Sequence, residues 1–319
     1  MQENFVLNNG FYQPKVKIIG VGGCGLCVTN LVQKEDLKDI EIYTVQTDKA
    51  FLTLSTLEDN NKILIGEQET KGKSTKGLTE KGKKAVLESK DIIKQIVEKT
   101  DILFIIAGVG GGLGSGATPE IAKIAKEQGA LTIVFAVTPA NEESEVKKET
   151  AQKALQKFVE KDSGIDSVIS VSNQKFKIKN FRSDILRDAF NEANIEIVKC
   201  IKAITELFAD NDIQIDFEKF KNLVSNAGYT GIGLSDYNAN NPILGTGLKY
   251  YPMIKDSFEQ TKGFILHITC EENVEFFNLR EILEKVSENM KKDVTVLFSL
   301  KVGGKKLKFQ EMKVTLITV

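Results

Sequence analysis

The chain is short of arginine, histidine and cysteine and has no long apolar run, and each scarcity excludes a class of protein. Of its 43 basic residues, three are arginines (Arg182, Arg187 and Arg280). The planar forks that read phosphates and base edges bidentately are therefore nearly missing. Against 44 acidic residues the formal charge is −1, which leaves no basic footprint for nucleic acid. No apolar stretch reaches the roughly 18 residues of a membrane span, and the N-terminus has no signal-peptide pattern. A cytoplasmic protein with no direct hold on a membrane is expected. One histidine and four cysteines restrict metal chemistry. Cys24 and Cys27 form a CxxC, but Cys200 and Cys270 stand alone, so no four-ligand zinc set is visible and no metal-ligating residue is expected. The CxxC fits either a redox pair or two small fillers where backbones meet; glycines surround it instead of the flanks that usually set such a redox motif.

What is present is ordinary in composition and specific in pattern. The 319 residues, 41% hydrophobic and 27% charged, suit a globular protein of about two domains at ~100–200 residues each. Apolar, β-branched runs at residues 16–19, 42–45, 63–65, 102–107, 131–137 and 167–171 alternate with helical spacing, such as Val86, Ile93 and Val97 within a helix over 85–97. Ile121, Ile124 and Ala125 begin another helix, with Pro119 in its first turn. This alternation predicts a parallel sheet covered on both faces, with ligands at the carboxyl ends of its strands. A long helix is expected over about 187–208. Beyond it lie a strand at 263–269, a helix at 278–290 and two final strands at 294–300 and 312–319, joined by a turn at Gly303 and Gly304. There is no internal repeat and no proline-rich linker, and the lysine-rich stretch 71–99 reads as a solvated face.

Two glycine clusters carry the chemistry. Gly20-Val21-Gly22-Gly23-Cys24-Gly25 follows the first strand and fits GxGxxG, and Asp48 lies 23 residues beyond Gly25. Such a turn lets backbone amides approach phosphates at a helix N-terminus, and by itself it suits a nicotinamide-dependent oxidoreductase. The second cluster, residues 108–116, holds six glycines in nine positions between a buried strand and a helix. A flexible turn would not need so many costly glycines, whereas a nest of amides can wrap an oligophosphate. Two such loops at neighbouring strand ends point to a nucleotide held between them.

On these residues the chain resembles the tubulin/FtsZ superfamily, and within it the FtsZ branch. Residues 110–116 match the family's GGGTGSG signature except at Leu113, and residues 20–25 resemble its first phosphate loop. Gln46-Thr47-Asp48 resembles the second, and Thr70-Lys71-Gly72 the start of the third. Asp188-Ala189-Phe190-Asn191-Glu192-Ala193-Asn194 resembles the start of the central helix, and residues 213–220 the synergy loop. The resemblance runs from about Val16 to the last strand. It implies an α/β fold: a Rossmann-type GTP-binding domain over 1–183, a central connecting helix over 184–210, and a smaller C-terminal α/β domain over 211–319 with the synergy loop at about 211–221.

It further implies GTP or GDP binding, with Mg²⁺ accompanying GTP, and head-to-tail assembly into protofilaments in cell division, with a second FtsZ-type protein as a further partner. Carried over by position, the nucleotide contacts fall on Gly22, Gly23, Cys24, Cys27, Gly110, Gly111, Gly112, Leu113, Gly114, Ser115, Gly116, Glu143, Lys147, Phe190 and Asn194. Glu143 matches the ribose acid, Phe190 the residue that stacks on guanine, and Asn194 the amide on its edge.

The departures are as informative. Cys27 replaces an asparagine, Leu113 a threonine and Lys147 an arginine, with loss of the planar fork. Where the family's third loop is glycine and alanine, residues 73–78 read Lys-Ser-Thr-Lys-Gly-Leu; these lysines either meet the γ-phosphate as point charges or stay solvated. In the synergy loop the family presents an asparagine and two aspartates to the neighbouring subunit's nucleotide. Here Gln214, Asp216 and Lys219 stand there, so one acid is kept and the other is inverted in charge. Glu218 is adjacent, but one residue along a helix turns a side chain by about 100°. A lysine with an ordinary pKa of ~10.4 beside a triphosphate stays protonated and is no base. β-Tubulin similarly carries a lysine at this place, facing the nucleotide that is not hydrolysed. Slow or absent hydrolysis in the homopolymer is the resulting expectation, against an active GTPase using Asp216 and Glu218, an oxidoreductase, or a scaffold that binds no nucleotide. The chain stops at Val319, where FtsZ usually continues into a membrane-tether peptide; either a tail has been removed or a partner makes that link.

Overall fold

A computed structural model describes residues 7–8, 11–35, 37, 39–173, 185–238, 249–251, 261–272, 280, 282, 284, 294–303, 307 and 311–319. The chain divides into one unit of residues 14–202 and another of residues 1–13 and 203–319. The division falls inside the long helix, and the N-terminal residues group with the C-terminal unit.

In the unit of residues 14–202 the β-branched runs become strands: β1 (Val16–Val21), β2 (Glu41–Gln46), β3 (Lys62–Leu64), β4 (Ile102–Gly108), β5 (Leu131–Thr138) and β6 (Ser167–Ser172). All pair in parallel, in the order β3-β2-β1-β4-β5-β6. Residues 102–107 of β4 are buried without alternation, as a central parallel strand covered on both faces requires. The order reverses between β1 and β4, and in open α/β sheets that reversal opens the ligand crevice at the strands' carboxyl ends.

The helices of this unit are α1 (Gly22–Val32), α2 (Lys49–Leu52), α3 (Glu67–Thr70), α4 (Thr79–Glu88), α5 (Lys90–Val97), α6 (Gly112–Glu127) and α7 (Glu145–Phe158). α8 (Ile185–Glu206) begins here. Ile93, Val97, Ile121, Ile124 and Phe158 pack with strand residues such as Ile105 and Val134 into one core. Two helix expectations are corrected. The helix expected over 85–97 is broken at Ser89 (φ −106°, ψ 26°), whose Oγ accepts from Gly66 N at 3.1 Å. α6 begins at Gly112, nine residues before Ile121, so Pro119 lies inside the helix and not in its first turn; there its missing N–H leaves the Ser115 carbonyl without an intrahelical donor.

In the other unit, α9 (Phe217–Val224) precedes β7 (Gly231–Asn238), β8 (Lys249–Tyr251), β9 (Gly263–Cys270), β10 (Thr295–Val302) and β11 (Glu311–Thr318). The strand order is β8-β7-β11-β9-β10. β9 and β10 are parallel and the other pairs antiparallel. The last two strands are therefore not a hairpin about Gly303 and Gly304: β11 pairs with β7 and β9, and Val314, Leu316 and Ile317 bury it from both faces. Gly304 and most of the helix expected at 278–290 lie outside the described residues. Asn211 Nδ2 donates to the Glu206 and Leu207 carbonyls at 2.8 and 3.1 Å, satisfying orphan acceptors at the end of α8. No helix among the described residues is long and apolar enough to cross a membrane.

Candidate functional site

Above the reversal between β1 and β4 the strand ends open into a cavity of about 530 Å³, the size of a small-molecule site. Two helices begin at its wall. α1 follows Val21 and α6 follows Gly111, and neither start has a side-chain cap or an acidic residue in its first turn. The amides of Gly22, Gly23 and Cys24, and those of Gly112, Leu113 and Gly114, have no acceptor within their helices and form the positive ends of two helix dipoles. All six residues line the cavity. Convergent helix N-termini make a site for an anion.

The backbone needs glycine at two turns leading into these helices. Gly22 has φ +72° and Gly110 φ +107°, where a β-carbon is penalised. Gly110 N donates to Ser115 Oγ at 3.0 Å, which closes the second turn. Gly111 is open, since a β-carbon there would meet nothing within 4 Å. The remaining glycines of residues 108–116 serve packing. A β-carbon on Gly116 would lie 1.9 Å from the Thr79 carbonyl, and one on Gly114 2.3 Å from the Gly108 carbonyl. The glycine content thus has two causes, and Ser115 and Gly116 stand outside the lining.

Other expected residues fall as follows. Cys24, Cys27, Glu143, Lys147 and Asn194 line the cavity. Glu143 Oε1 accepts from Ala140 N at 3.0 Å and its Oε2 pairs with Lys147 Nζ at 2.9 Å. The Leu113 side chain packs into the core, so the missing hydroxyl is replaced by apolar contact while the amide remains. Burial, with Cys27 adding to it, pushes the Cys24 thiol up to about 12, and burial also raises Cys27. Both cysteines are free. A reactive pair needs a lowered thiol, so the redox reading of the CxxC loses its physical basis. Phe190 lies on α8, but its side chain is outside the described residues.

Of the lining residues, Phe51 had escaped the sequence reading, whereas Thr47, Asp48 and residues 74–77 lie in the second and third loops it named. Asp48 Oδ1 accepts from Phe51 N at 3.1 Å and caps α2. The Phe51 ring stands 3.2 Å from where a Gly23 β-carbon would be. Thr47, 1% exposed, lines the cavity with its Oγ1 buried and without a partner. An orphaned hydroxyl is costly, and this one belongs to a residue of the cavity wall. Ser74, Thr75, Lys76 and Gly77 also line the site. Among the described residues no cluster of three or more His, Cys, Asp or Glu could hold a metal.

In the other unit, Gln214 and Asp216 precede α9 and Lys219 lies in its first turn. Asp216 Oδ1 accepts from Lys219 N at 2.9 Å, the N-cap bond that starts the helix. The side chains of Asp216, Glu218 and Lys219 are exposed.

This strand order, with two uncapped helices over its reversal, defines an α/β nucleotide-binding protein. The family model for the Tubulin/FtsZ family GTPase domain matches residues 15–179. The cell division protein FtsZ of Aquifex aeolicus (strain VF5) is 32% identical over 293 residues, 90% of this chain and 78% of that protein. The chain belongs to the tubulin/FtsZ family. An empty FtsZ dimer of M. jannaschii superposes with a TM-score of 0.79 at 25% identity, over 96% of this chain and 88% of that one. A CetZ of Haloferax volcanii in a GTPγS-bound protofilament gives 0.74 at 20% identity, over 95% and 92%. The oxidoreductase reading has no support from these relatives.

Proposed function

We propose that the chain binds GTP, and GDP after it, in the cavity above β1 and β4, and assembles head to tail into filaments whose own hydrolysis is slow or absent. The observation that carries the binding is the convergence of two uncapped helix N-termini on one 530 Å³ cavity with an unpartnered Thr47 hydroxyl in its wall. Gly22, Gly23, Gly110, Gly111, Gly112 and Gly114 hold the phosphates. Glu143 and Lys147 take the ribose side, and Phe190 and Asn194 the base. Mg²⁺ arrives with the triphosphate and supplies charge neutralisation, held largely through water. Among the relatives, an FtsZ is seen as a dimer and a CetZ as a protofilament, which supports assembly as the setting for this nucleotide. The filaments belong to the cytoplasm at the division site, with a second FtsZ-type subunit as a further partner in the polymer.

The slow hydrolysis rests on the first turn of α9. One Asp216 oxygen is engaged at the helix start, and Lys219 presents an ammonium with no ion pair among the described residues. Against a neighbour's triphosphate that ammonium neutralises charge and tightens binding, whereas an acid would polarise the attacking water. Phosphate release and sedimentation on one sample test this. Wild type should pellet with GTP and turn over negligibly. Lys219→Asp, whose new acid also suits a helix first turn, should raise turnover about 10²-fold. Brisk wild-type turnover that depends on Asp216 would overturn the assignment of Lys219.

A further inference from the structure

Four charged side chains line the cavity: Asp48, Lys76, Glu143 and Lys147. Three are committed within the protein. Lys147 is paired with Glu143, Glu143 also holds Ala140 N, and Asp48 caps α2. Lys76 has no ion pair or hydrogen bond from its side chain among the described residues. Two acids and two lysines cancel, so the lining offers a bound polyanion no net side-chain charge, and Lys76 is the cation still free to act.

Its loop lies against the start of α6. The preceding residue, Thr75, is 4% exposed, and a β-carbon on Gly112 would lie 2.5 Å from Thr75 Oγ1. The loop carrying Lys76 is therefore seated directly on the first turn of α6, whose free amides face the cavity. Lys76 itself has φ +52°, beside Gly77 at +81°. A residue with a β-carbon is disfavoured in that region, and strain of this kind concentrates where a side chain has a function.

We propose that Lys76 makes this cavity prefer the nucleoside triphosphate over the diphosphate, its ammonium neutralising the terminal phosphate beside the start of α6. The helix amides are fixed and serve either ligand alike, whereas a lysine is a mobile point charge on a long stem that can follow the extra phosphate. The inference rests on the GTP-binding reading above, and the test separates the two.

GTP and GDP, each with magnesium, are titrated calorimetrically into the full chain as wild type, Lys76→Gln, Lys76→Arg and Lys76→Gly. Lys76→Gln should weaken GTP about tenfold and GDP less than about twofold, and Lys76→Arg should keep the preference. Lys76→Gly relieves the backbone and should melt at a higher temperature while losing the preference, which separates charge from strain. Equal weakening of both nucleotides, or no change in either, overturns the inference while leaving GTP binding intact. A wild type that binds neither refutes the GTP-binding reading, and this inference with it.

Discussion

Replacing Thr47 by valine should make the empty protein more stable and its nucleotide complex weaker, two effects of opposite sign from one atom. Thr47 is 1% exposed and its Oγ1 has no partner, while its backbone N–H is satisfied by Gln46 Oε1 at 3.1 Å. A buried polar group left unpaired costs ~1–3 kcal/mol, and valine of the same shape removes that cost. For a unit of this size about 1 kcal/mol corresponds to roughly 2–4 °C. Valine should therefore raise the melting temperature without nucleotide by a few degrees. A hydrogen bond to a charged phosphate contributes ~1.5–3 kcal/mol, so its loss should weaken GTP by about 10- to 100-fold. Each tenfold loss removes about 1.4 kcal/mol from the stabilisation that saturating GTP confers. Melting curves with and without GTP read both quantities, and Thr47→Ser, which keeps the hydroxyl, should behave as wild type. A valine variant that melts lower without nucleotide, or that keeps the full GTP shift, would refute the reasoning.

The two cysteines of the cavity should react slowly. With the Cys24 thiol raised to about 12 and Cys27 raised by burial, little thiolate is present at neutral pH. Iodoacetamide followed by mass spectrometry should label Cys27 more slowly than free cysteine, leave Cys24 untouched, and find Cys27 protected by GTP; rapid labelling insensitive to GTP would contradict the site. His267 should make stability pH-dependent. It is 2% exposed, with Nδ1 2.9 Å from Ser299 Oγ and Nε2 3.1 Å from Thr269 Oγ1, and burial lowers it from 6.5 to about 4. The unfolded chain gains a proton below its ordinary pKa that the folded chain refuses until about 4. This contribution is therefore complete above pH ~6.5 and falls by up to about 3 kcal/mol toward pH 4. Denaturant unfolding across that range should show a shallower pH slope for His267→Gln than for wild type, and equal slopes would dismiss the effect.

Much of the fold and of the site was legible in the sequence because the signals concerned are local. The β-branched runs at 16–19, 102–107 and 131–137 gave buried parallel strands, since a strand covered on both faces has no polar alternation to maintain. The glycines at 22 and 110 marked turns whose φ only glycine adopts without penalty. The motifs around 20–25 and 110–116, combined with those at 46–48, 70–72, 188–194 and 213–220, named the family.

What depended on non-local pairing was not legible. Placing β1 beside β4, more than eighty residues apart in the chain, sets the reversal at which two helix starts meet; the paired glycine loops anticipated that adjacency, but the full strand order followed from no spacing rule. The same is true of β11, which lies between β7 and β9 instead of folding back on β10. Ser89 ends a helix whose apolar spacing runs on, because its hydroxyl is taken by Gly66 from a distant turn. Gly114 and Gly116 looked like phosphate glycines, and their lack of a β-carbon also allows the close approach of Gly108 and Thr79. Asp48, noted in the sequence for its spacing beyond Gly25 and as part of the second loop, is a helix cap. Thr47 and Lys76 stood in loops the sequence had named, but only the tertiary structure showed that their side-chain polar atoms are left without a partner within the described residues. The sequence determined the class of the fold and the chemistry of its loops. The packing decided which of their groups remain free to act, because satisfaction of a buried or charged group depends on neighbours brought from elsewhere in the chain.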